Sequence, residues 1–245
     1  MSSSLLGLLT MQSAKRKISQ MKYLTTCMTL LALLLAQKAE ATSFKDASSF
    51  VSFTKQNGEV LAYESIADDY NNDGKDDIAV LIHSTNPSRS GYQIAVLIRN
   101  SSNTLDLLEM SKFGDSSNGL SAKLKEKRNG SLFVHVDLPS GFSGTYQFKL
   151  INNAMTLIGS EIHLSSCKSD QDRCAAVDTS TNFLTGNIVF HKKIIGGKED
   201  INLWSKDKID PPRCELKNFD FDPYFCVENI KTSNGMLDAL MRGEK

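Results

Sequence analysis

The sequence predicts a mainly β protein: an antiparallel β-meander of hairpins, closing as a sandwich or a propeller-like curled sheet. A short N-terminal helix and a disulfide-stapled irregular C-terminal region complete it. Three observations predict this class. Short apolar runs recur at near-regular spacing, separated by turn residues such as Arg128-Asn129-Gly130 and Asn152-Asn153. The run Leu132, Phe133, Val134, His135, Val136, Asp137 alternates as a half-buried strand does. Helical spacing, by contrast, is confined to residues 44–55 and a short stretch over 236–241.

Taken in order, Phe44, Ala47, Phe50, Val51 and Phe53 mark a loose helical stripe that Asn57-Gly58 stops. Residues 60–66 read as a strand, followed by an acidic loop and a second strand over 77–82. A polar connection with Asn86-Pro87-Ser88 leads on. Strands over 92–99 and 104–110 flank Asn100-Ser101-Ser102-Asn103. Those over 120–127 and 132–138 flank Asn129-Gly130, the strongest short hairpin signal. A further pair, 145–151 and 155–164, surrounds Asn152-Asn153. Tyr92-Gln93-Ile94 and Tyr146-Gln147-Phe148 echo one another, as two similar hairpins would. Beyond Leu164 the pattern loosens, and only Ile188-Val189-Phe190-His191 stands out before Lys192-Lys193, Gly196-Gly197 and the Asp210-Pro211-Pro212 and Asp222-Pro223 turns. This divides the chain into residues 1–41, a β-hairpin domain over 42–164, and a loop-rich extension over 165–245 packed on the same domain.

The first segment reads as an export signal. Lys22 follows Met21, then comes the apolar run over 28–36, and Ala39-Glu40-Ala41 supplies the small-x-small pattern of a signal-peptidase site. The run falls short of the roughly 20 residues that span a bilayer. Met21 makes a more orthodox start than Met1, and cleavage after Ala41 makes Thr42 the mature N-terminus. Of the 245 residues, 204 then remain, enough for one well-buried domain. Five of the 28 basic and one of the 28 acidic residues leave with the signal, so the mature net charge is near −4. No basic stripe stands out, which argues against nucleic acid as a partner. No second apolar segment approaches membrane-spanning length.

Cys167, Cys174, Cys214 and Cys226 remain after cleavage. An even count in an exported chain favours disulfides, and the spacings lack the close pairs of a zinc module. Three pairings are open; the sequential one, Cys167–Cys174 with Cys214–Cys226, staples two short loops.

The acidic loop reads Asp69-Tyr70-Asn71-Asn72-Asp73-Gly74-Lys75-Asp76-Asp77. Oxygen-bearing side chains at its first, third, fifth and ninth places, with glycine at the sixth, suit a hard cation such as Ca²⁺. An Asn-Asp-Gly turn with solvated acids is the plainer alternative. An EF-hand is not met, because the twelfth position is Val80 rather than Glu and no helix pattern follows. Over residues 69–82 the loop and its apolar strand resemble the calcium loops of FG-GAP and VCBS-type repeats. That resemblance implies side-chain ligands from Asp69, Asn71, Asp73 and Asp77, and a backbone carbonyl from Lys75. A single clear copy leaves a full propeller unsupported. The layout also resembles exported bacterial proteins with one Asp-rich loop, which implies a periplasmic or secreted location.

No catalytic residue is assigned. His83, His135, His163 and His191 stand singly, without metal-ligand spacing. Ser143, between Gly141 and Gly144, does not meet the nucleophile-elbow pattern. The acids of the loop share one short turn and lack the two walls of a hydrolytic cleft. Trp204, the only tryptophan, disfavours a carbohydrate platform. The expectation is a calcium-stabilised β protein that binds a protein or cell-envelope component without catalysis. Its rivals are an inhibitor or immunity protein, with exposed loops over 140–144 or 210–218, and a hydrolase.

Overall fold

The computed structural model describes residues 42–55, 61–84, 90–127, 129–168, 173–195, 201–210, 212–222 and 225–226. The chain divides into two compact units, residues 1–42 and 43–245, and only Thr42 of the first is described. The expected signal, the Asn57-Gly58 stop, the Asn86-Pro87-Ser88 connection, the Gly196-Gly197 turn and the helix over 236–241 lie outside the described residues.

Two antiparallel sheets make up the fold, and among the described residues neither closes into a barrel. The first sheet runs in the order β1 (Ser43–Phe44), β5 (Leu105–Met110), β4 (Gly91–Arg99), β3 (Asp77–Ser84), β2 (Leu61–Asp68). The two-residue strand β6 (Gly114–Asp115) pairs separately with β4. The second is a simple meander: β7 (Ser121–Lys125), β8 (Ser131–Leu138), β9 (Phe142–Ile151), β10 (Ala154–Lys168), β11 (Arg173–Asn182), β12 (Asn187–Ile195), β13 (Ile201–Lys208). Each strand there pairs with its sequence neighbour, as hairpin connections require.

Apolar alternation decides which face is buried. Ala79, Leu81, Ile94 and Val96 of the first sheet join Leu132, Val134, Val136, Tyr146, Phe148 and Ile162 of the second in one cluster. On the other face of the first sheet, α1 (Ala47–Thr54) lays Phe50 and Val51 against Val80, Ile82, Ala95 and Leu97. Asp46 caps that helix by accepting the Ser49 N–H at 2.8 Å, while the Ser49 hydroxyl receives the Asp46 N–H at 3.1 Å. The sequence stripe is therefore real, with its start moved to Ala47 by the cap.

The stretch beyond Leu164 differs from the sequence expectation. Three strands, β11 to β13, occupy residues that read as loose, and irregular chain begins only after Lys208. Their outward positions carry Asp178, Ser180, His191 and Lys193, which break up the apolar runs. Their inward positions still bury Ala175, Val177, Ile188, Phe190 and Ile194. The irregular segment is no loose extension either. Leu216, Phe219 and Phe221 are buried in the main cluster, with the Phe219 ring 5.2 Å from Tyr146 and 5.4 Å from Phe148. The Leu157 N–H donates to the Cys214 carbonyl at 2.8 Å, tying the segment to β10.

Both disulfides follow the sequential pairing. Cys167 and Cys174 face each other across the β10–β11 pair with Cα atoms 4.1 Å apart. Cys214 and Cys226, 6.2 Å apart at Cα, close the core-filling segment.

Candidate functional site

The acidic loop connects β2 to β3. Its side chains fold back on their own backbone. The Asp69 carboxylate accepts the N–H groups of Asp73 at 3.0 Å and Gly74 at 2.8 Å. Asn71 Oδ1 accepts the Asp73 N–H at 2.9 Å, and Asp73 Oδ1 accepts the Lys75 N–H at 2.9 Å. Such Asx turns curl Asp69, Asn71 and Asp73 toward one another. Gly74 has φ of +84°, a conformation that disfavours a side chain.

Asp77 is placed differently. It is fully buried, and its two oxygens accept N–H groups from Tyr70 at 3.0 Å, Asn71 at 3.3 Å and Arg99 at 2.8 Å. Burial pushes its carboxyl up, against the pull of those three donors, and Asp73 adds to the push. Lys75 sends its ammonium to the Asn100 carbonyl at 3.2 Å. Asp68 accepts the N–H groups of Asn129 and Gly130 at 3.1 and 2.9 Å, so the loop is braced against the β7–β8 turn.

A hard cation needs several oxygens converging on one point. Asp69, Asn71 and Asp73 offer oxygens from one curl, each with lone pairs beyond those its backbone bonds use. Asp77 is engaged by three backbone donors. Among the described residues no three His, Cys, Asp or Glu side chains gather as a metal-binding group. Of the expected set, Asp69, Asn71 and Asp73 thus lie in one curl, and Asp77 holds the loop's shape.

A second constellation lies on the outward face of the second sheet, and sequence reading by itself did not assemble it. Antiparallel register sets Asp137 opposite Ser143, Ser143 opposite His163, His163 opposite Asp178, Asp178 opposite His191, and His191 opposite Trp204. These six residues form one transverse row across six strands. Asp178 is its centre: Oδ1 meets His163 Nδ1 at 2.6 Å, Oδ2 meets His191 Nδ1 at 3.2 Å, and Lys193 Nζ stands 3.6 Å away. Burial raises the Asp178 carboxyl. The His163 hydrogen bond and charge, then Lys193 and His191, outweigh it and hold the group below its ordinary value.

The rest of the row is equally ordered. Asn202 Oδ1 lies 2.6 Å from His191 Nε2. The Trp204 ring stacks on His191 with centroids 3.9 Å apart and planes 6° from parallel, yet Trp204 is 67 % exposed. Nearby, His135 contacts Thr145 Oγ1 at 2.9 Å and Asp137 at 3.1 Å. Desolvation and the charge of Lys125 lower its pKa against the opposing charge of Asp137. A shallow depression of about 440 Å³ runs between His135, Glu161, His163, Asp178 and Trp204. It adjoins a second of about 400 Å³ that shares Thr145, Glu161 and Ser180.

What can this arrangement do chemically? Ser143, His163 and Asp178 stand in nucleophile–base–acid order on adjacent strands. However, Ser143 is the second residue of β9, held between Asp137 of β8 and His163 of β10. His163 Nδ1 is engaged by Asp178, and among the described residues no hydrogen bond joins Ser143 to His163. The row fits recognition better than acyl transfer. The fourth histidine, His83, lies apart on the first sheet, stacked on Tyr92 with centroids 4.4 Å apart. No family model matches this chain, and neither a curated protein nor a solved structure is significantly similar to it.

Proposed function

We propose that this is an exported protein that binds another protein or a cell-envelope component without catalysis, and that its Asp69–Asp77 loop holds calcium. The observation that carries the binding reading is the outward face of the second sheet. There, polar and aromatic side chains are fixed in register over a face that among the described residues carries no covering layer. An antiparallel sheet needs only one buried face. Solvation alone does not require a tryptophan held flat against a histidine at an exposed edge.

Export is supported by the small-x-small site ending at Ala41 and by two disulfides. The first strand starts at Ser43, one residue past the mature N-terminus that such cleavage creates. Calcium is supported by the curl of Asp69, Asn71 and Asp73. It would bridge their oxygens and stiffen the connection that carries Asp68 and Asp77.

The test is retention of envelope material on immobilised mature protein, with and without chelator. Wild type retains a component, and Trp204→Ala together with His163→Ala releases it. Equal retention by wild type and the double variant would overturn the assignment of the surface. Absence of retention from every envelope fraction would overturn the binding reading.

A further inference from the structure

Charge is unevenly shared out on the outward face of the second sheet. The mature chain carries a net charge near −4, yet strand register gathers lysines at one end of this face. Lys123 and Lys125 stand on β7, Lys149 on β9, and Lys206 and Lys208 on β13, on the side that carries His135 and Trp204. Lys127 joins them, its ammonium 4.4 Å from the centre of the outward Phe133 ring. Among the described residues one acid, Glu161, stands with these six, because Glu126 and Asp207 take the alternate parity. Asp137 and Asp178 lie nearer the other end, where His135, His163, His191 and Lys193 engage them.

A second transverse row, four residues along each strand from the first, crosses all seven strands of the sheet. It reads Lys125, Phe133, Gln147, Gly159, Asn182, Asn187, Lys208, each opposite the next. No acid stands in it, and a lysine closes each end. Its length is about 29 Å at the usual strand spacing. Lysines on edge strands also deter edge-to-edge pairing. That role accounts neither for Lys149 on an inner strand nor for the shortage of balancing acids.

The middle of this row is the depression of about 400 Å³, with Gly159 in its lining. A Cβ at Gly159 would stand 3.3 Å from Gln147 Oε1, so glycine keeps the depression open. The amides around it are partly engaged, and that decides what they offer. Gln147 Nε2 donates to Ser131 Oγ at 3.2 Å, which leaves Oε1 as an acceptor. Asn129 Oδ1 accepts the Ser131 N–H at 3.1 Å, and Asn182 Oδ1 accepts the Leu184 N–H at 3.0 Å. Their amide N–H groups are the donors that remain. Hydroxyl groups satisfy both kinds of amide atom, and acid groups satisfy the lysines. A flat lipid surface would meet the lysine tips and leave the depression unfilled, while an acidic peptide brings carboxylates without the hydroxyls.

We infer that this end of the face binds an acidic polysaccharide, laid across the strands with its acid groups at Lys125, Lys127 and Lys208 and its hydroxyls in the depression beside Gly159. The inference rests on the binding function proposed above and narrows its partner to an anionic glycan. Charge and amides carry the recognition, so no aromatic platform is required of the single tryptophan.

Oligogalacturonate and dextran sulfate supply carboxylate and sulfate probes, with neutral dextran, polyglutamate and phosphatidylglycerol vesicles beside them. Each is titrated calorimetrically into the mature protein. At least one acidic glycan should bind saturably at about 50 mM salt and weaken about tenfold or more by about 300 mM, as screening of exposed charges requires. Neutral dextran should not bind. Lys125→Gln combined with Lys208→Gln should weaken glycan binding by about tenfold, and Gln147→Ala by about fivefold with the salt dependence unchanged. Unchanged far-ultraviolet circular dichroism should show the variants folded. Silence of both acidic glycans at low salt, up to about 1 mM, would overturn the inference. So would polyglutamate or vesicles binding as tightly as the glycans, or full binding by the folded lysine double variant. Envelope material retained through Trp204 and His163, with both acidic glycans silent, would overturn the glycan assignment and leave the binding function standing. Silence toward every probe and every envelope fraction would remove both.

Discussion

Asp77 Oδ1 accepts the N–H of Arg99 at 2.8 Å, across the β3–β4 boundary and from a fully buried position. With the bonds from Tyr70 and Asn71, this makes one carboxylate the anchor for three otherwise unmatched backbone donors. The ninth residue of the loop thereby ties the loop to the folding of the first sheet, and separates the effects of mutating different acids.

Asp77→Ala should destabilise the protein by about 3 kcal/mol or more, because buried N–H groups lose a charged acceptor. Asp73→Ala, at an exposed position, should cost far less without calcium but abolish any calcium response. Extracellular-type sites often have Kd near 10⁻⁴–10⁻³ M, so millimolar calcium should add about 1 kcal/mol to wild type. Magnesium should add less, since it sheds water reluctantly. Thermal melts of chelator-stripped wild type and both variants check this. A calcium shift that survives in Asp73→Ala would remove the loop as its source.

The two disulfides should differ in weight. Cys214 is buried and its bond secures the segment that carries Leu216, Phe219 and Phe221 into the core. Replacing Cys214 and Cys226 by Ser should cost about 3 kcal/mol by loop closure alone, with core disruption on top. Cys167 and Cys174 already face one another in the β10–β11 ladder, so losing that bond should lower Tm less. Denaturant melts of the two double variants give the comparison. Equal losses would contradict the core role of the segment at 214–226.

A pH effect follows from His135. Its folded pKa lies below the ordinary value of 6.5, through burial and then Lys125. As pH falls through 6.5 the unfolded chain protonates first, so stability drops until the folded-state value is passed. His135→Asn should flatten this part of the stability–pH curve. Asp178 acts in the same direction in a more acidic window: its carboxyl is held below 3.8, so its stabilisation is full above that value and is lost only in stronger acid. Urea melts across pH would reveal the two windows, and an unchanged slope in His135→Asn would contradict the assignment.

Export predicts a periplasmic protein that begins at or near Thr42. Intact mass of the fractionated protein measures this directly. Retention of residues 22–41 in a cytoplasmic protein would contradict it.

Much of the fold was legible because turn chemistry is local. Asn152 and Asn153 take φ of +51° and +61°, as a tight hairpin demands, and Gly130 takes +67° in the Asn129-Gly130 turn. The strands β11 to β13 were harder to see. Their outward residues are polar and their edge is exposed on both faces, so no clear alternation survives. The acidic loop was readable from spacing alone, although the burial of Asp77 was not. The transverse row was invisible for a different reason. Asp178 and His191 meet only because the β11–β12 register sets them opposite one another, and register is not written at either position.

The central claim is that the outward face of the second sheet is the working surface, and histidine footprinting tests it most directly. Three histidines, His135, His163 and His191, share that face, while His83 lies on the other sheet and serves as an internal control. The mature protein is treated with diethyl pyrocarbonate alone and in the presence of envelope extract, and modification is read by peptide mass. Protection of His163 with His83 unchanged is the predicted result. Protection of His83 with His163 fully reactive would contradict the account.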